Sequence, residues 1–152
     1  MKHYGLIAAL GIAVSIGTVA LYAHGGATGI VRERMDSMVL IGKSMKALSA
    51  FVRGQRELNQ SEIAAAGREI ADQAGSALLA QFPAGSLSAA SEARPEIWQD
   101  FQYFTALANE LQTAAQAVAA WQPGEGLQLL TADFNRMANT CQSCHKQFRV
   151  KK

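Results

Sequence analysis

Past residue 28 the apolar side chains recur every three or four positions, the spacing that lays one stripe along a helix. The first stretch carries Val31, Met35, Met38, Gly42, Met45 and Val52, with Leu48 on the same side. A second begins at Asn59, which with Glu62 makes a capping box, and runs through Ile63, Ala66, Ile70, Ala74 and Ala77 toward Gln81. Phe82-Pro83-Ala84-Gly85-Ser86 breaks it. The third opens at Pro95, a residue suited to a first helical turn because its missing N–H would find no partner there. Its stripe is Ile97, Phe101, Phe104, Ala108, Leu111, Ala115 and Val118, and Gln122-Pro123-Gly124 ends it. The fourth carries Leu127, Leu130, Phe134, Met137, Cys141, Cys144 and Phe148. No segment alternates with period two. Four amphipathic helices joined by short links predict an all-α, antiparallel four-helix bundle occupying residues 28–152 as one domain.

Before it lies a segment of another kind. Lys2 and His3 precede an uncharged run from Gly5 to Ala23, which exits through Gly25-Gly26-Ala27. A basic start, an apolar stretch and a small-residue exit read as an export signal over residues 1–25. The run also approaches the ~20 residues that span a bilayer, so an uncleaved membrane anchor competes with cleavage. Either way the body is expected in the periplasm. Composition adds exclusions: a net charge of +2, with no basic stripe interleaved with aromatics, argues against nucleic acid as a partner. No nucleophile–base pair or second ligand cluster suggests an enzyme.

Both cysteines sit in Cys141-Gln142-Ser143-Cys144-His145, which fits the attachment signature of c-type haem. The spacing has a physical reason: two thiols one helical turn apart reach one edge of the same macrocycle, and the adjacent imidazole reaches the iron. Both occupy seam positions of the fourth helix, so they point into the bundle. Three blander readings compete. Structural zinc needs about four ligands, and the other histidines, His3 and His24, lie in or beside the export segment. A thioredoxin-like pair needs a βαβ context and usually sits at a helix N-terminus, whereas this pair falls late in a helix. Two reduced core cysteines beside a surface histidine would be a liability in an oxidising compartment. Haem is the reading that uses all three residues.

The iron's far side must then be met from another helix, which excludes Met137. Met35, Met38 and Met45 share the first stripe, and spacing alone does not choose among them; methionine also fills irregular core gaps. Trp98 reads as core before cofactor wall, though in a bundle this small the two overlap.

With these residues in view, the sequence resembles the class II c-type cytochromes, cytochrome c′ and its six-coordinate relatives such as cytochrome c-556. The resemblance rests on Arg34-x-x-x-Met38-x-x-x-Gly42-x-x-Met45-Lys46, on Phe82 to Ser86, on Arg94-Pro95-Glu96-Ile97-Trp98, and on Cys141 to Lys152. It implies a four-helix bundle with one covalently attached haem c, held by Cys141 and Cys144 with His145 as axial ligand. It also implies that Met38, four residues after Arg34, is the distal residue. Cytochromes c′ proper carry a non-ligand there and leave the iron open to NO or CO, whereas c-556-like members carry methionine. His145/Met38 ligation and one-electron transfer to redox partner proteins are therefore expected, with gas binding as the alternative. A haem-free helical interaction module is the alternative of another class. Arg34 is a candidate propionate contact, against a solvated helix face. Arg149 is a candidate flank of the proximal pocket, where Lys146, Lys151 and Lys152 complement the helix dipole. Exposed seams on the first two helices, together with the resemblance, leave room for a homodimer.

Overall fold

The computed structural model describes residues 26–150, and the expected signal or anchor lies outside them. Six helical segments make up a four-helix bundle: α1 (Gly29–Val52), α2 (Gln60–Gln73), α3 (Gly75–Ala80), α4 (Glu96–Gln99), α5 (Phe101–Ala120) and α6 (Gly126–Phe148). A 3₁₀ turn at Pro123–Glu125 leads into α6. Among the described residues the β structure is one antiparallel bridge, Ala93 to Arg149.

Two of the four expected helices are divided, each for a local reason. Asn59 caps α2 by accepting from the Glu62 N–H at 3.2 Å, but the expected capping box is only half made, because the Glu62 carboxylate pairs with Arg56 at 2.8 Å. The helix does not run on to Gln81. It stops at Ala74–Gly75, where Gly75 takes φ +56°. The Gln112 amide of α5 fills the space a Cβ on Gly75 would need, and its Nε2 donates to the Ala71 carbonyl at 3.2 Å. A side chain from a neighbouring helix thus joins the Ala74 N–H on a carbonyl of the last turn before the break. The third stretch divides at Asp100, whose backbone leaves helical geometry (φ −127°) while its carboxylate caps the Tyr103 N–H at 3.2 Å. The expected stripe is otherwise kept, with Ile97, Phe104, Ala108, Leu111, Ala115 and Val118 all buried, but Phe101, the first residue after the break, is exposed. Leu127, in the first turn of α6, is exposed too, and the buried seam starts at Leu130.

The first stripe is displaced rather than broken. The residues α1 buries are Val31, Arg34, Ser37, Ile41, Leu48 and Phe51, while Met38 and Met45 are only partly covered. The apolar arc of α1 is wider than one seam because the helix faces two environments.

Those environments are two packed clusters and the gap between them. One cluster, around Leu48, Phe51, Ile63, Ile70, Val118, Trp121 and Met137, closes one end of the bundle. The other, around Leu78, Phe82, Ile97, Phe104 and Phe148, closes the end where α3 and α4 lie. Met38 packs against both; Cys141 touches the first and Cys144 the second. Met38, Cys141 and Cys144 therefore fall on the boundary between the clusters.

Helices α2 and α5 approach closely through small residues. A Cβ on Gly67 would stand 2.6 Å from the Ala119 nitrogen and 2.9 Å from the Ala115 oxygen, both backbone atoms that cannot swing aside. Gly67→Ala should therefore push the two helices apart and cost roughly 1–3 kcal/mol, the range for overpacking a tight contact. A chemical-denaturation midpoint on the haem-loaded protein measures it, and an unchanged midpoint would contradict the contact.

Candidate functional site

One cavity of about 690 Å³ opens between α1 and α6, within the size range of cofactor sites. All six candidate residues line it: Arg34 and Met38 from α1, Cys141, Cys144 and His145 from α6, and Arg149 just beyond. Met35 and Met45 line it as well, so the three methionines that spacing could not separate share one wall. Phe82, Ile97, Phe104 and Leu107 supply much of the remaining apolar surface. Met137 is fully buried in the first cluster and is not among the lining residues.

The α6 wall carries the chemistry. Burial disfavours the thiolate at both cysteines: it raises the pKa of Cys141, and Cys144 is pushed up to about 11, with Cys141 adding to its shift. Both are protonated thiols at neutral pH, facing an apolar space. His145 stands at the rim, open to solvent on one side and crowded on the other. Desolvation, then the charge of Arg149, hold its pKa below the ordinary imidazole value, with Glu92 opposing. The favoured form is the neutral imidazole, which is the form that ligates metals.

The rim beside His145 is fastened to the segment before α4. The Arg94 N–H donates to the Phe148 carbonyl at 2.9 Å, and the Val150 N–H donates to the Glu92 carbonyl at 2.8 Å. Arg149 is not helical, and its side chain leaves the helix axis to pair with Glu92, Nε to Oε2 at 2.6 Å. It flanks the cavity, whereas Lys146 lies in the last helical turn.

Arg34 is not on a solvated face. Only 2% exposed, it donates to the Gln81 carbonyl from Nε (3.1 Å) and Nη2 (2.7 Å), to Ser86 Oγ from Nη2 (2.7 Å) and to the Ser86 carbonyl from Nη1 (3.4 Å). Its guanidinium also stacks on Phe82, 4.2 Å from the ring centroid. These partners are all neutral, and burial lowers its pKa. A buried cation with neutral partners on the wall of an apolar cavity is the environment an acidic cofactor group would complete. Ser37, adjacent in sequence to Met38, accepts from Gln81 Nε2 at 2.7 Å and ties the same turn of α1 to the same loop. Sequence reasoning missed this network and Glu92. A signal for Arg34 was present, since Val31, Arg34, Met38 and Ile41 repeat at three and four and put the arginine on the buried side.

Trp98 is not part of the cavity wall. Its indole N–H donates to the carbonyls of Phe82 and Pro83, at 3.1 and 3.2 Å, and holds the turn that presents Phe82.

The cavity fits a flat, largely apolar cofactor with acidic groups and one covalently reactive edge: paired thiols, an adjacent imidazole, apolar walls and a buried cation meet on its surface. Comparison with known proteins agrees. Residues 29–149 match the family model described as Cytochrome C'. The chain belongs to the cytochrome c′ family. It is 37% identical over 126 residues to a cytochrome c-556 of Agrobacterium fabrum, covering 83% of this chain and 84% of that one. Against a cytochrome c′ of Rhodopseudomonas palustris it is 30% identical over 126 residues, covering 82% and 84%. The solved cytochrome c′ from Rhodopseudomonas palustris superposes with a TM-score of 0.73 at 29% identity, over 83% of this chain and 99% of that one. A ferric cytochrome c prime from Alcaligenes xylosoxidans superposes with 0.71 at 27% identity, over 81% and 94%. The cofactor is accordingly one covalently attached c-type haem.

Arg34→Met removes every donor to Gln81 and Ser86 while keeping the apolar stem. It should destabilise the haem-loaded protein by about 1–3 kcal/mol, the cost of losing a buried cation's hydrogen bonds to partly buried acceptors. Urea unfolding checks this; a change within about 0.5 kcal/mol, as at a plain surface site, would contradict the network.

Proposed function

We propose that this haem protein is a periplasmic one-electron carrier whose iron is ligated by His145 and Met38. In this reading Cys141 and Cys144 hold the haem through thioether bonds, and the bound haem supplies a one-electron Fe(III)/Fe(II) couple. His145 offers its neutral imidazole from α6, and Met38 offers its thioether from α1. Arg34 pairs with a propionate, and Arg149, restrained by Glu92, flanks the histidine side. Phe82, Ile97 and Phe104 keep water away.

The observation that carries the reading is that Met38 and His145 line one cavity from two different helices, with Met38 packed against both apolar clusters. A thioether there does two things. With haem bound it would favour the ferrous state and raise the potential, and as an iron ligand it would keep the metal low-spin in both oxidation states, so that little rearrangement would accompany electron transfer. Relatives named cytochrome c-556 and relatives named cytochrome c′ both stand among the similar proteins, so the reading rests on the methionine at position 38. Binding of NO or CO at an open iron is the competing function.

Residues 1–25 direct export, or anchor the protein if they are not removed, and the body from 28 to 152 works outside the cytoplasm with redox partner proteins. None of the described helices is long and apolar enough to cross a membrane. Val39 and Leu40 stand exposed on α1, which supports self-association through that helix.

Met38→Ala separates the two functions. It should convert a low-spin absorption spectrum into a high-spin one, lower the potential and open the iron to CO. A wild-type protein that is already high-spin and binds CO as readily as the variant would favour the gas-binding reading.

A further inference from the structure

The rings behind the cavity wall are ordered by how easily they lose an electron. Three phenylalanines line the cavity and touch one another: Phe82 and Phe104 have centroids 4.9 Å apart, and Phe104 and Phe148 are 5.4 Å apart. Phenyl rings are hard to oxidise. One ring further out stand two residues that are not: Tyr103, 6.0 Å from Phe148, and Trp98, 6.5 Å from Phe82. Tyr103 is the sole tyrosine among the described residues, and the remaining tryptophan, Trp121, belongs to the opposite cluster.

The two branches differ in charge and in the fate of a proton. On the Trp98 branch the Arg34 guanidinium lies 4.2 Å over the intervening Phe82 ring, and a cation there opposes a positive hole. The indole N–H is also committed to two backbone carbonyls, which cannot accept its proton. On the Tyr103 branch no cation stacks on the bridging Phe148; among the described residues the stacked cations are Arg34 on Phe82 and Arg56 on Phe51. Tyr103 is 43% exposed, so a phenol that gives up an electron there can release its proton to water.

We propose that Tyr103 is a one-electron donor to the haem site through Phe148, and that it drains oxidising equivalents when the reduced protein meets hydrogen peroxide. The proposal rests on the haem being held at Cys144 and His145, within one turn of Phe148. Peroxide accepts two electrons and two protons, its O–O bond breaks and two waters form. One electron comes from ferrous iron, which becomes ferric, and the other from Tyr103. The phenolic proton is one of the two consumed and solvent supplies the second, leaving a neutral tyrosyl radical at the surface.

The test uses the matured, haem-loaded full chain, reduced, mixed with one equivalent of hydrogen peroxide and freeze-quenched for electron paramagnetic resonance, with peptide mass spectrometry on the products. The wild-type protein and Trp98→Phe should give a tyrosyl signal, with the modification mapping to Tyr103. Tyr103→Phe should lose the signal and bleach its haem several times faster. A tyrosyl signal that persists in Tyr103→Phe, a radical on Trp98, or oxidation that ends as sulfoxide at Met35, Met38 or Met45 without a tyrosyl signal would overturn the proposal. The spectrum before peroxide is added separates this idea from the one beneath it. A high-spin protein that still forms the Tyr103 radical removes Met38 as a ligand and leaves the electron path standing. A low-spin protein without the radical does the reverse.

Discussion

A helix that places two thiols and an imidazole within five residues of one another needs an apolar space wide enough to receive what they hold. Here that space is the gap between two packed clusters. Each cluster is closed on its own by large side chains, Trp121 and Phe51 in one, Phe82 and Phe104 in the other. Between them α1 and α6 stand apart, and the residues on the boundary are those with the chemistry to fill it. A cofactor in this gap completes the interior and does not merely dock on a surface. Covalent attachment at the α6 wall suits such a site, because a bundle of this size has little other core with which to offset the loss of that contact.

Helix α1 answers α6 across the gap, and its position is set from the loop side. Arg34 and Ser37 bind the segment from Gln81 to Ser86, while Met38, the next residue, faces the cavity. The same guanidinium that anchors the loop keeps a positive charge at the wall of an apolar pocket. Positive charge there favours an acidic cofactor edge and, on the Phe82 side, disfavours loss of an electron. Fastening of the loop and a buried positive charge at the cavity wall thus meet in one side chain.

Much of this was legible in the sequence. Apolar periodicity gave the four stretches because each helix keeps at least one strict seam, and the cysteine–histidine spacing named the cofactor because few other uses demand those residues together. The breaks at Gly75 and Asp100 were not legible. The first depends on Gln112, 37 positions away in the chain and adjacent only after α5 has packed. The second depends on an aspartate that reads as an ordinary helix residue until it is seen capping Tyr103. The stripe on α1 was misplaced by one face because Met35, Met38 and Met45 are as apolar as the core residues beside them; periodicity cannot distinguish a wall of a cavity from a packed seam. The burial of Arg34 was hidden for the complementary reason, since its partners are backbone carbonyls and a serine, which leave no pattern of charge in the sequence.

In the proposed coordination α6 and α1 hold one iron between an imidazole and a thioether. X-ray absorption at the iron edge of the matured protein, in both oxidation states, tests it most directly. The expected result is a six-coordinate iron with five nitrogen neighbours and one sulfur, little changed on reduction. An iron shell without sulfur, or a protein that carries no iron after maturation, would contradict it.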